Sequence, residues 1–451
     1  MQNVVLAHGC WDVIHVGHIR HLREAKEQGD WLIVSVTSDR FVNKGADRPK
    51  FKQEQRMEML RALGCVDEVV LNDAPDASEI IAQVKPAVYV KGIDYSTPDE
   101  GLVREESAVK ANGGRLHITK TDKWSSSRII NQERYDAETI RFIEYARAAN
   151  YRDHIFRAFD KADKMAFAFV GERIVDEYRY VRAIGKPSKE YTVATVETRK
   201  ECFDGGVIAA SHHGEFKNIS VVCGPKPMKK TRYIDEDYSR KLFEIYSEDR
   251  LNFDANTREF VNQSVTETIA KSDAVIVFDF GHGLMDEHCI NQVRRAKFAA
   301  VNAQSNAGNY GFNPVTRYKG ADMFCVDDPE ARLGAGIQHD DIHHVAAELA
   351  GRLFWPNKTQ KLIVTHGKLG CFVLDGVKEL QMPAFAKQAV DTMGAGDAFL
   401  AIAGPLAAAG TPLAAAAFAG NVAGAIKVSI LGHRRHVGRQ ELVSTIESLL
   451  K

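Results

Sequence analysis

Short runs of hydrophobic residues alternate along the chain with longer stretches in which apolar and polar positions recur at helical spacing. In the first part of the sequence the runs predict strands at residues 4–7, 31–37, 68–71, 87–90 and 115–118, with helices at 19–28, 53–63 and 77–82 between them. Strands that alternate with helices are typical of a parallel sheet covered by helices on both faces. We therefore predict an α/β domain at the start of the chain.

A second series of strand and helix patterns follows a charged, aromatic segment. Residues 133–162 contain neither proline nor glycine, and they predict one or two connecting helices. After this segment, residues 166–170, 275–278 and 362–365 predict buried strands. We predict two doubly wound parallel-sheet domains of the α/β class, at residues 1–132 and 163–451, joined by a helical linker at 133–162.

The stretch that comes nearest to a membrane span covers residues 401–428 and is rich in alanine. It is interrupted by Gly404, Pro405, Gly410 and Pro412, and it contains Asn421. A spanning helix needs about 20 consecutive apolar residues. Two small-residue helices packed in a core explain the pattern better, so we expect no membrane partner.

Composition and charge narrow the classes of function. The chain has 451 residues, of which 45% are hydrophobic and 26% are charged, as in folded globular proteins. Lys and Arg total 59 and Asp and Glu total 60, so the formal net charge is -1. This balance argues against a nucleic-acid partner bound through bulk charge and leaves room for small anionic ligands held by a few local groups.

The cysteines and the N-terminus indicate where the protein works. Seven cysteines are scattered along the chain without CxxC spacing, so we expect reduced thiols and no structural zinc site. The opening residues lack the basic and long apolar regions of a signal peptide, and they predict a strand. We expect a cytoplasmic protein.

The clearest local motif runs from His8 to His18, where a predicted strand ends in a glycine turn and His-x-Gly-His opens a helix. A helix N-terminus favours anions, and glycine lets a phosphate chain approach the backbone. Imidazoles placed there donate hydrogen bonds to phosphate oxygens as charge develops on them. We assign catalytic roles to His15 and His18 and phosphate contacts to Gly9, Cys10, Asp12 and Gly17.

This segment resembles the HxGH nucleotidyltransferase superfamily, because four further blocks follow in order: KGADRP around Lys44, EQRMEML at 54–60, VKGIDY at 90–95 and WSSSRII at 124–130. The resemblance implies a catalytic cation at Lys44 and nucleotide or phosphate contacts at Lys91, Gly92, Asp94, Ser125, Ser126 and Ser127. It also implies that a sugar or polyol phosphate reacts with ATP or CTP, in the presence of Mg²⁺, and that pyrophosphate is released.

A second motif, DTMGAGDAF, occupies residues 391–399. A Gly-x-Gly turn that leads into a helix offers backbone N–H groups to a transferring phosphoryl group. An aspartate in the first turn of that helix accepts the proton of an attacking hydroxyl, a role worth roughly 10²–10⁴-fold in rate. We assign Asp397 as the base and Gly394, Ala395 and Gly396 as the anion hole.

This motif resembles the second signature of the ribokinase (PfkB) family of carbohydrate kinases, and the resemblance extends over residues 165–451. It implies sugar contacts at Asp176, Gly205 and Gly206, ATP contacts at Thr365, Gly367 and Gly370, an adenine contact at Asn421, and metal binding by Asp327 and Glu330. Three of the positions that depart from the family pattern bear on the predicted contacts. Ala209 replaces a sugar-binding asparagine, Gln304 replaces the lysine of an Asp-Pro-Lys block, and Asp327 replaces the asparagine of Asn-x-x-Glu. An unusual loop, SNAGNYGFNP, follows Gln304.

The two halves together resemble the bifunctional heptose-phosphate kinases/nucleotidyltransferases, with the domain order reversed. The resemblance implies that one domain phosphorylates a heptose-like sugar with ATP and the other converts a sugar phosphate into an NDP-sugar. Its small-molecule partners would be nucleotides and sugars, and we expect a homo-oligomer, most simply a dimer. The alternative is an active nucleotidyltransferase fused to a silent kinase fold that senses a sugar or nucleotide or drives oligomerisation.

Overall fold

The computed structural model describes residues 3–42, 48–92, 100–120, 135–184, 194–238, 240–248, 250–355, 361–386 and 388–450. The chain divides into two compact units, the first built mainly from residues 1–136 and the second mainly from residues 137–446. Each unit has its own sheet and its own hydrophobic core.

The first unit is a five-stranded sheet in which every pair of neighbouring strands is parallel. Its strands are β1 (Val4–Gly9), β2 (Trp31–Thr37), β3 (Glu68–Asn72), β4 (Val88–Lys91) and β5 (Arg115–Ile118), in the order β3-β2-β1-β4-β5. Its described helices are α1 (Val16–Lys26), α2 (Gln53–Arg61), α3 (Ser78–Val84) and α4 (Glu100–Ala111). The predicted α/β class is confirmed for this unit.

Alternation along β1 shows why this sheet is covered on both faces. Val5 and Ala7 pack into a cluster on one face with Leu22 of α1, whereas Leu6 packs into a cluster on the other face with Ile80 of α3. Successive side chains of a strand point to opposite faces, so an unbroken apolar strand needs helices on both sides.

The strand order places a crevice at one edge of this sheet. From β1 the chain moves to β2 and β3 on one side, and β4 and β5 lie on the other side. The carboxyl ends of β1 and β4, at Gly9 and Lys91, therefore flank the point where the strand order reverses. Open α/β sheets bind ligands in this position.

The second unit contains a mostly parallel eight-stranded sheet. Its strands are β6 (Phe167–Gly171), β9 (Ile219–Val222), β12 (Ala274–Asp279), β13 (Ala299–Ala303), β14 (Met323–Asp327), β15 (Lys361–Thr365), β16 (Cys371–Asp375) and β17 (Lys378–Met382). Their order is β17-β16-β15-β14-β13-β12-β6-β9, and only the two pairs that involve β16 are antiparallel.

A separate four-stranded sheet, which the sequence patterns did not predict, belongs to the same unit. It consists of β7 (Arg173–Ala183), β8 (Thr195–Gly205), β10 (Met228–Asp235) and β11 (Arg240–Tyr246), in the order β11-β10-β7-β8. Strands β8 and β11 are exposed along most of their length, so they lack the continuous apolar run that identifies a buried strand.

The helices of the second unit surround its eight-stranded sheet. They are α5 (Ala137–Ala148), α6 (Tyr151–Ala162), α7 (Gly206–His212), α8 (Ala255–Ala270), α9 (Glu287–Arg294), α10 (Asp328–Ala335), α11 (Ile342–Leu353), α12 (Ala395–Ala408), α13 (Leu413–Lys427) and α14 (Arg439–Leu450). The rings of Phe142 on α5 and Phe418 on α13 are stacked with their centroids 6.4 Å apart. Helices α5 and α6, which cover most of the segment predicted as a linker, are thus part of this unit.

The alanine-rich stretch forms two buried helices, α12 and α13, as the sequence predicted. Small side chains let the two helices approach each other and the sheet closely. Gly404, for example, lies where a Cβ atom would meet Ile276 of β12 at 2.9 Å. None of the helices within the described residues has the length and hydrophobicity needed to cross a membrane.

Candidate active sites

Two stacked imidazoles stand at the N-terminus of α1. His15 caps the helix, since its Nδ1 accepts a hydrogen bond of 3.2 Å from the Gly17 N–H, and His18 Nδ1 accepts one of 3.4 Å from the His15 N–H. The ring centroids lie 3.9 Å apart. A neutral imidazole that accepts at Nδ1 carries its proton on Nε2, so both rings offer a donor on the side away from the backbone. This cap also explains why α1 begins at Val16, three residues earlier than predicted.

The indole of Trp11 packs against the His18 ring of this pair. It lies edge-on to His18, with the ring centroids 5.4 Å apart, and its Nε1 donates a 2.9 Å hydrogen bond to the Ser35 carbonyl at the end of β2. A Cβ atom on Gly9 would lie 3.1 Å from the indole. Gly9 therefore makes room for Trp11, which the sequence analysis did not include among the site residues.

Asp12, which the sequence predicts to contact phosphate, holds residues 48–51. Its buried carboxylate accepts hydrogen bonds from Arg48 Nε at 2.6 Å, from the Lys50 N–H at 2.9 Å and from the Phe51 N–H at 3.1 Å. Asp12 thus fixes residues 48–51 to the segment that follows β1, and its contact with a phosphate remains a prediction.

Arg56 is a second buried anchor. Its guanidinium has no exposed surface and donates hydrogen bonds to the carbonyls of Cys10, Phe51 and Thr37 and to the Asp39 carboxylate. It thus fixes the carbonyl of Cys10, a predicted contact residue, to the ends of β2 and α2. Arg56 belongs to the EQRMEML block, but the spacing of residues in that block does not show that the arginine is buried.

Lys91 ends β4, and Gly92 follows it, on the other side of the crevice. Lys91 Nζ lies 2.9 Å from Glu105 of α4, and both side chains are 6% exposed, so this predicted cation is paired with a carboxylate. Burial and the charge of Lys91 lower the pKa of His8 to about 3, and burial lowers the pKa of His21 to about 4. Both imidazoles are therefore neutral at physiological pH.

The structure brings most of the described predicted residues of the first site to one edge of the sheet. Gly9, His15, Gly17 and His18 follow β1, while Lys91 and Gly92 end β4. Lys44, Asp94, Ser125, Ser126 and Ser127 lie outside the described residues, and their roles remain predictions.

In the second unit, a cavity of about 290 Å³ opens between the two sheets. Its walls include nine of the predicted residues, which are far apart in the sequence: Asp176, Gly206, Asp327, Glu330, Thr365, Gly394, Ala395, Gly396 and Asp397. The cavity is thus the place where the predicted sugar, metal and phosphate contacts meet.

Asp397 lies in the first turn of α12, directly after the glycine turn. Gly394 caps this helix with a left-handed conformation, φ 72°, in which a Cβ atom would lie 2.9 Å from the His433 ring. Burial raises the pKa of Asp397 to about 6, although the charges of His433 and Lys427 act in the opposite direction. A carboxylate with this pKa accepts a proton near neutral pH.

Asp176 lies opposite, on β7. It forms an ion pair with Arg232 of β10, and its Oδ2 lies 3.3 Å from His433 Nε2. Burial alone would raise the pKa of Asp176, but the hydrogen bond from His433 and the charge of Arg232 lower it to about 2. A Cβ atom on Gly205 would overlap Asp176 Oδ2, and one on Gly206 would overlap the Glu172 carbonyl, so both glycines permit this arrangement.

Glu330 and Asp327 form a reciprocal cap at the start of α10. Glu330 Oε2 accepts a 2.9 Å hydrogen bond from the Asp327 N–H, and Asp327 Oδ1 accepts one of 2.8 Å from the Glu330 N–H. Burial, followed by the charge of Asp327, raises the pKa of Glu330 to about 8. Across the described ranges, no group of three or more His, Cys, Asp or Glu residues is arranged to hold a metal ion without a ligand's help.

Three predicted nucleotide contacts lie away from the cavity. Gly367 and Gly370 belong to the turn between β15 and β16, and Gly370 allows the Met382 carbonyl to approach closely. Asn421 of α13 donates a 2.8 Å hydrogen bond to the Pro383 carbonyl. These residues shape the region beside Thr365, and their contact with a nucleotide remains a prediction.

Three basic groups in the cavity wall were not predicted from the sequence: Lys230, Arg232 and His433. Lys230 and Arg232 alternate on one face of β10, and His433 follows α13. The two-residue spacing of Lys230 and Arg232 could have indicated that both side chains lie on the same face of a strand. Nothing local indicated His433, because its partner Asp176 lies on β7.

Known families match both halves of the chain. Residues 6–132 match the cytidylyltransferase-like family, and residues 249–436 match the pfkB family of carbohydrate kinases. Both resemblances drawn from the motifs, and the order of the two domains, are thereby confirmed.

Curated relatives match the first half. The chain is 40% identical over 134 residues to "Bifunctional protein HldE" of Citrifermentans bemidjiense and equally similar to the protein of that name from Geobacter metallireducens. Each alignment covers 29% of this chain and 27% of the relative, so the match spans about a quarter of the relatives' length.

Among solved structures, phosphofructokinase-2 from Escherichia coli in complex with potassium covers the second half. It aligns with 64% of this chain and 99% of its own, with a TM-score of 0.50 and 13% sequence identity. This similarity shows a shared fold, in agreement with the predicted α/β class.

Proposed function

We propose that this chain, a cytidylyltransferase-like domain followed by a pfkB carbohydrate kinase domain, is a bifunctional transferase that makes an activated NDP-sugar. The second unit phosphorylates a sugar with ATP, and the first unit transfers a nucleotidyl group to a sugar phosphate. The observation that carries this proposal is the cavity in which Asp397, the glycine turn, Asp176 and the acidic pair of α10 converge.

In the kinase step, a sugar hydroxyl attacks the γ-phosphorus of ATP. The hydroxyl proton passes to Asp397, a new O–P bond forms, and the bond between the γ-phosphorus and the β,γ-bridging oxygen breaks, so that ADP leaves with the electron pair. Backbone N–H groups at residues 394–396, at the start of α12, stabilise the charge on the transferring phosphoryl group. Asp176 holds the sugar from β7.

The acidic pair at α10 fits a divalent cation. Mg²⁺ binds through one or two carboxylates together with substrate phosphates and keeps several waters. Asp327 and Glu330 supply two carboxylates at the cavity wall. Burial raises the pKa of both groups, and the neighbouring charges of Asp328 on Asp327 and of Asp327 on Glu330 act in the same direction. A bound Mg²⁺ would neutralise charge on the ATP phosphates there. These two residues would hold it, in agreement with the motif-based prediction.

In the transferase step, a phosphate oxygen of the sugar phosphate attacks the α-phosphorus of an NTP and pyrophosphate leaves. The Nε2–H groups of His15 and His18 donate hydrogen bonds to the oxygens of the α-phosphate as their charge rises. Lys44, Ser126 and Ser127 complete this site on the evidence of their motifs. The nucleotide is ATP or CTP, and the sugar is heptose-like.

Two substitutions in the full-length chain test whether the steps use separate sites, with a sugar phosphate supplied in the transferase assay and a free sugar in the kinase assay. His18→Ala should abolish pyrophosphate release and leave sugar-dependent ADP formation unchanged, whereas Asp397→Asn should do the reverse. Both products are measured for each variant and for the wild type. Loss of both activities in either variant, with the fold retained by circular dichroism, contradicts the two-site proposal.

The second candidate is an active transferase with a silent kinase fold. The observation that favours it is Gln304, a neutral residue in the cavity wall where the resembled family carries lysine. His18→Ala in the full chain decides between the candidates, because it removes pyrophosphate chemistry. Sugar-dependent ADP formation by this variant supports the kinase, and its absence with every sugar supports the silent fold.

A further inference from the structure

Gln304 contacts the base of the kinase step directly. Both residues line the cavity, and Gln304 Nε2 donates a 2.9 Å hydrogen bond to Asp397 Oδ1. Among the described residues, no hydrogen bond is seen to Oδ2 of the same carboxylate. We infer that Gln304 is a positioning residue, which holds Asp397 Oδ1 and thereby presents Asp397 Oδ2 to the sugar hydroxyl. This inference rests on the proposed kinase function.

The loop that follows Gln304 fixes its backbone. The Gln304 N–H donates a 2.8 Å hydrogen bond to the Asp279 carbonyl at the end of β12, and the Gln304 carbonyl accepts hydrogen bonds from the amides of Asn309 at 2.8 Å and Asn313 at 3.4 Å. Asn309 also reaches the Phe280 carbonyl at 3.3 Å. The SNAGNYGFNP loop thus ties the end of β13 to the end of β12.

Burial of the amide supports a positioning role. Gln304 is partly buried, and its fixed backbone leaves only side-chain torsions to adjust. An amide that donates to a carboxylate oxygen fixes the plane of the carboxylate without neutralising it. A lysine at this position would supply a full positive charge, so the glutamine preserves the basicity that proton transfer requires.

Other charged and titratable groups also act on Asp397, and any test has to keep them unchanged. They are Lys230 of β10, Asp176 of β7, Cys325 of β14, Glu330 of α10, Lys427 of α13 and His433 after α13. Among the described residues, Gln304 lies within hydrogen-bond distance of the Asp397 carboxylate, whereas these six groups do not. Changing Gln304 alone therefore isolates the contact.

The experiment compares Gln304→Ala, Gln304→Lys and Gln304→Glu in the full-length chain. Carbon-13 NMR of aspartate carboxyls follows the Asp397 titration, which is assigned with Asp397→Asn. We expect the midpoint to rise by about one pH unit in Gln304→Ala, to rise further in Gln304→Glu and to fall in Gln304→Lys. Opposite shifts from two substitutions at one position do not arise from misfolding. An unchanged midpoint in all three variants overturns the inference.

Kinetics supply the second readout. For Gln304→Ala we expect kcat for sugar-dependent ADP formation to fall about 10-fold with little change in the KM for ATP, and the acidic limb of the pH profile to follow the NMR midpoint. An unchanged kcat and pH profile in an active enzyme contradicts the positioning role. If the wild type forms no ADP, the proposed kinase function is contradicted instead. The NMR titration still decides in that case whether Gln304 sets the titration midpoint of Asp397.

The matched control is Gln263→Ala. The Gln263 amide also donates to a carboxylate, Glu267, at 2.8 Å, but this pair is exposed on α8, outside the cavity wall. We expect this variant to leave the Asp397 titration and ADP formation unchanged. Equal effects from Gln263→Ala and Gln304→Ala would show a general loss of stability and overturn the inference.

Discussion

The two sites differ in the groups that they place beside the reacting phosphate. The first offers stacked imidazoles at a helix N-terminus. The buried carboxylate that lies nearest to them in the sequence, Asp12, forms an ion pair with Arg48. The second places Asp397, with a raised pKa, beside a glycine turn. The proposed reactions explain the difference. A sugar phosphate is already ionised when it attacks, whereas a hydroxyl must lose a proton and therefore needs a base.

Gly205→Ala is expected to cause the largest difference between the two activities. The added methyl group would overlap Asp176 Oδ2, so the carboxylate would have to shift from the position in which Arg232 and His433 hold it. We expect kcat/KM for the sugar in ADP formation to fall about 100-fold, since a displaced binding group costs orientation as well as affinity. Pyrophosphate release from an NTP and a sugar phosphate should not change.

Gly351→Ala is the control for this substitution, because a Cβ atom there meets nothing within 4 Å. It should leave ADP formation at the wild-type rate. If Gly205→Ala retains the wild-type KM for the sugar, Asp176 does not bind the sugar.

A smaller effect, confined to the first unit, is expected from Arg56→Met. The substitution leaves the buried Cys10 carbonyl, the partly buried carbonyls of Phe51 and Thr37 and the Asp39 carboxylate without their donor, at a cost of about 3 kcal/mol in the free energy of unfolding. Urea denaturation followed by hydrogen exchange in β1 measures the change. Pyrophosphate release should fall while ADP formation continues.

Arg61→Met is the matched control on the same helix. Arg61 is exposed near the end of α2, so its replacement should change the free energy of unfolding by less than about 0.5 kcal/mol. Equal losses in the two variants would mean that the buried guanidinium contributes nothing specific.

The smallest expected effect is a difference in how the two units respond to pH. Burial raises the folded-state pKa of Glu172 to about 7 and that of Glu330 to about 8, so both bind protons more tightly when folded than when unfolded. The free energy of unfolding of the second unit should therefore decrease as the pH rises from 6.5 to 8, by about 2 kcal/mol in metal-free buffer.

The first unit should change less in this window and in the opposite direction. His8 and His21 have folded-state pKa values lowered to about 3 and about 4, whereas the unfolded chain still binds about half a proton at each at pH 6.5, so the free energy of unfolding of this unit should rise by about 0.8 kcal/mol up to pH 8. Hydrogen exchange in β1 and β12, corrected for intrinsic rates, measures both units in one chain. Parallel changes in the two strands would contradict the difference in buried carboxylates.

Sequence patterns predicted what depends on local periodicity and short motifs. The strands of the first unit, the buried helices α12 and α13, and the convergence of Asp397 with the glycine turn all follow from residues close together in the chain. Strands β8 and β11 were missed because their exposed side chains carry no apolar run.

Side-chain pairing across the fold was not predictable. Asp12 was predicted to contact phosphate, and nothing in its motif indicated that the folded chain also pairs it with Arg48, 36 residues away. In the same way, Gln304 was only a departure from a family pattern until the fold placed it against Asp397, 93 residues away. Such contacts depend on how sheets and loops pack, which spacing along one segment does not encode.

Phosphorus-31 NMR of the full-length protein with Mg²⁺, ATP, CTP and a panel of heptoses, shorter sugars and polyols tests the central claim most directly. The account predicts a sugar-dependent phosphomonoester signal, followed by a diphosphate diester signal with release of pyrophosphate. A diester that forms only when a phosphorylated sugar is supplied, with no phosphomonoester from any free sugar in the panel, would contradict the kinase step and leave an active transferase joined to a silent kinase fold.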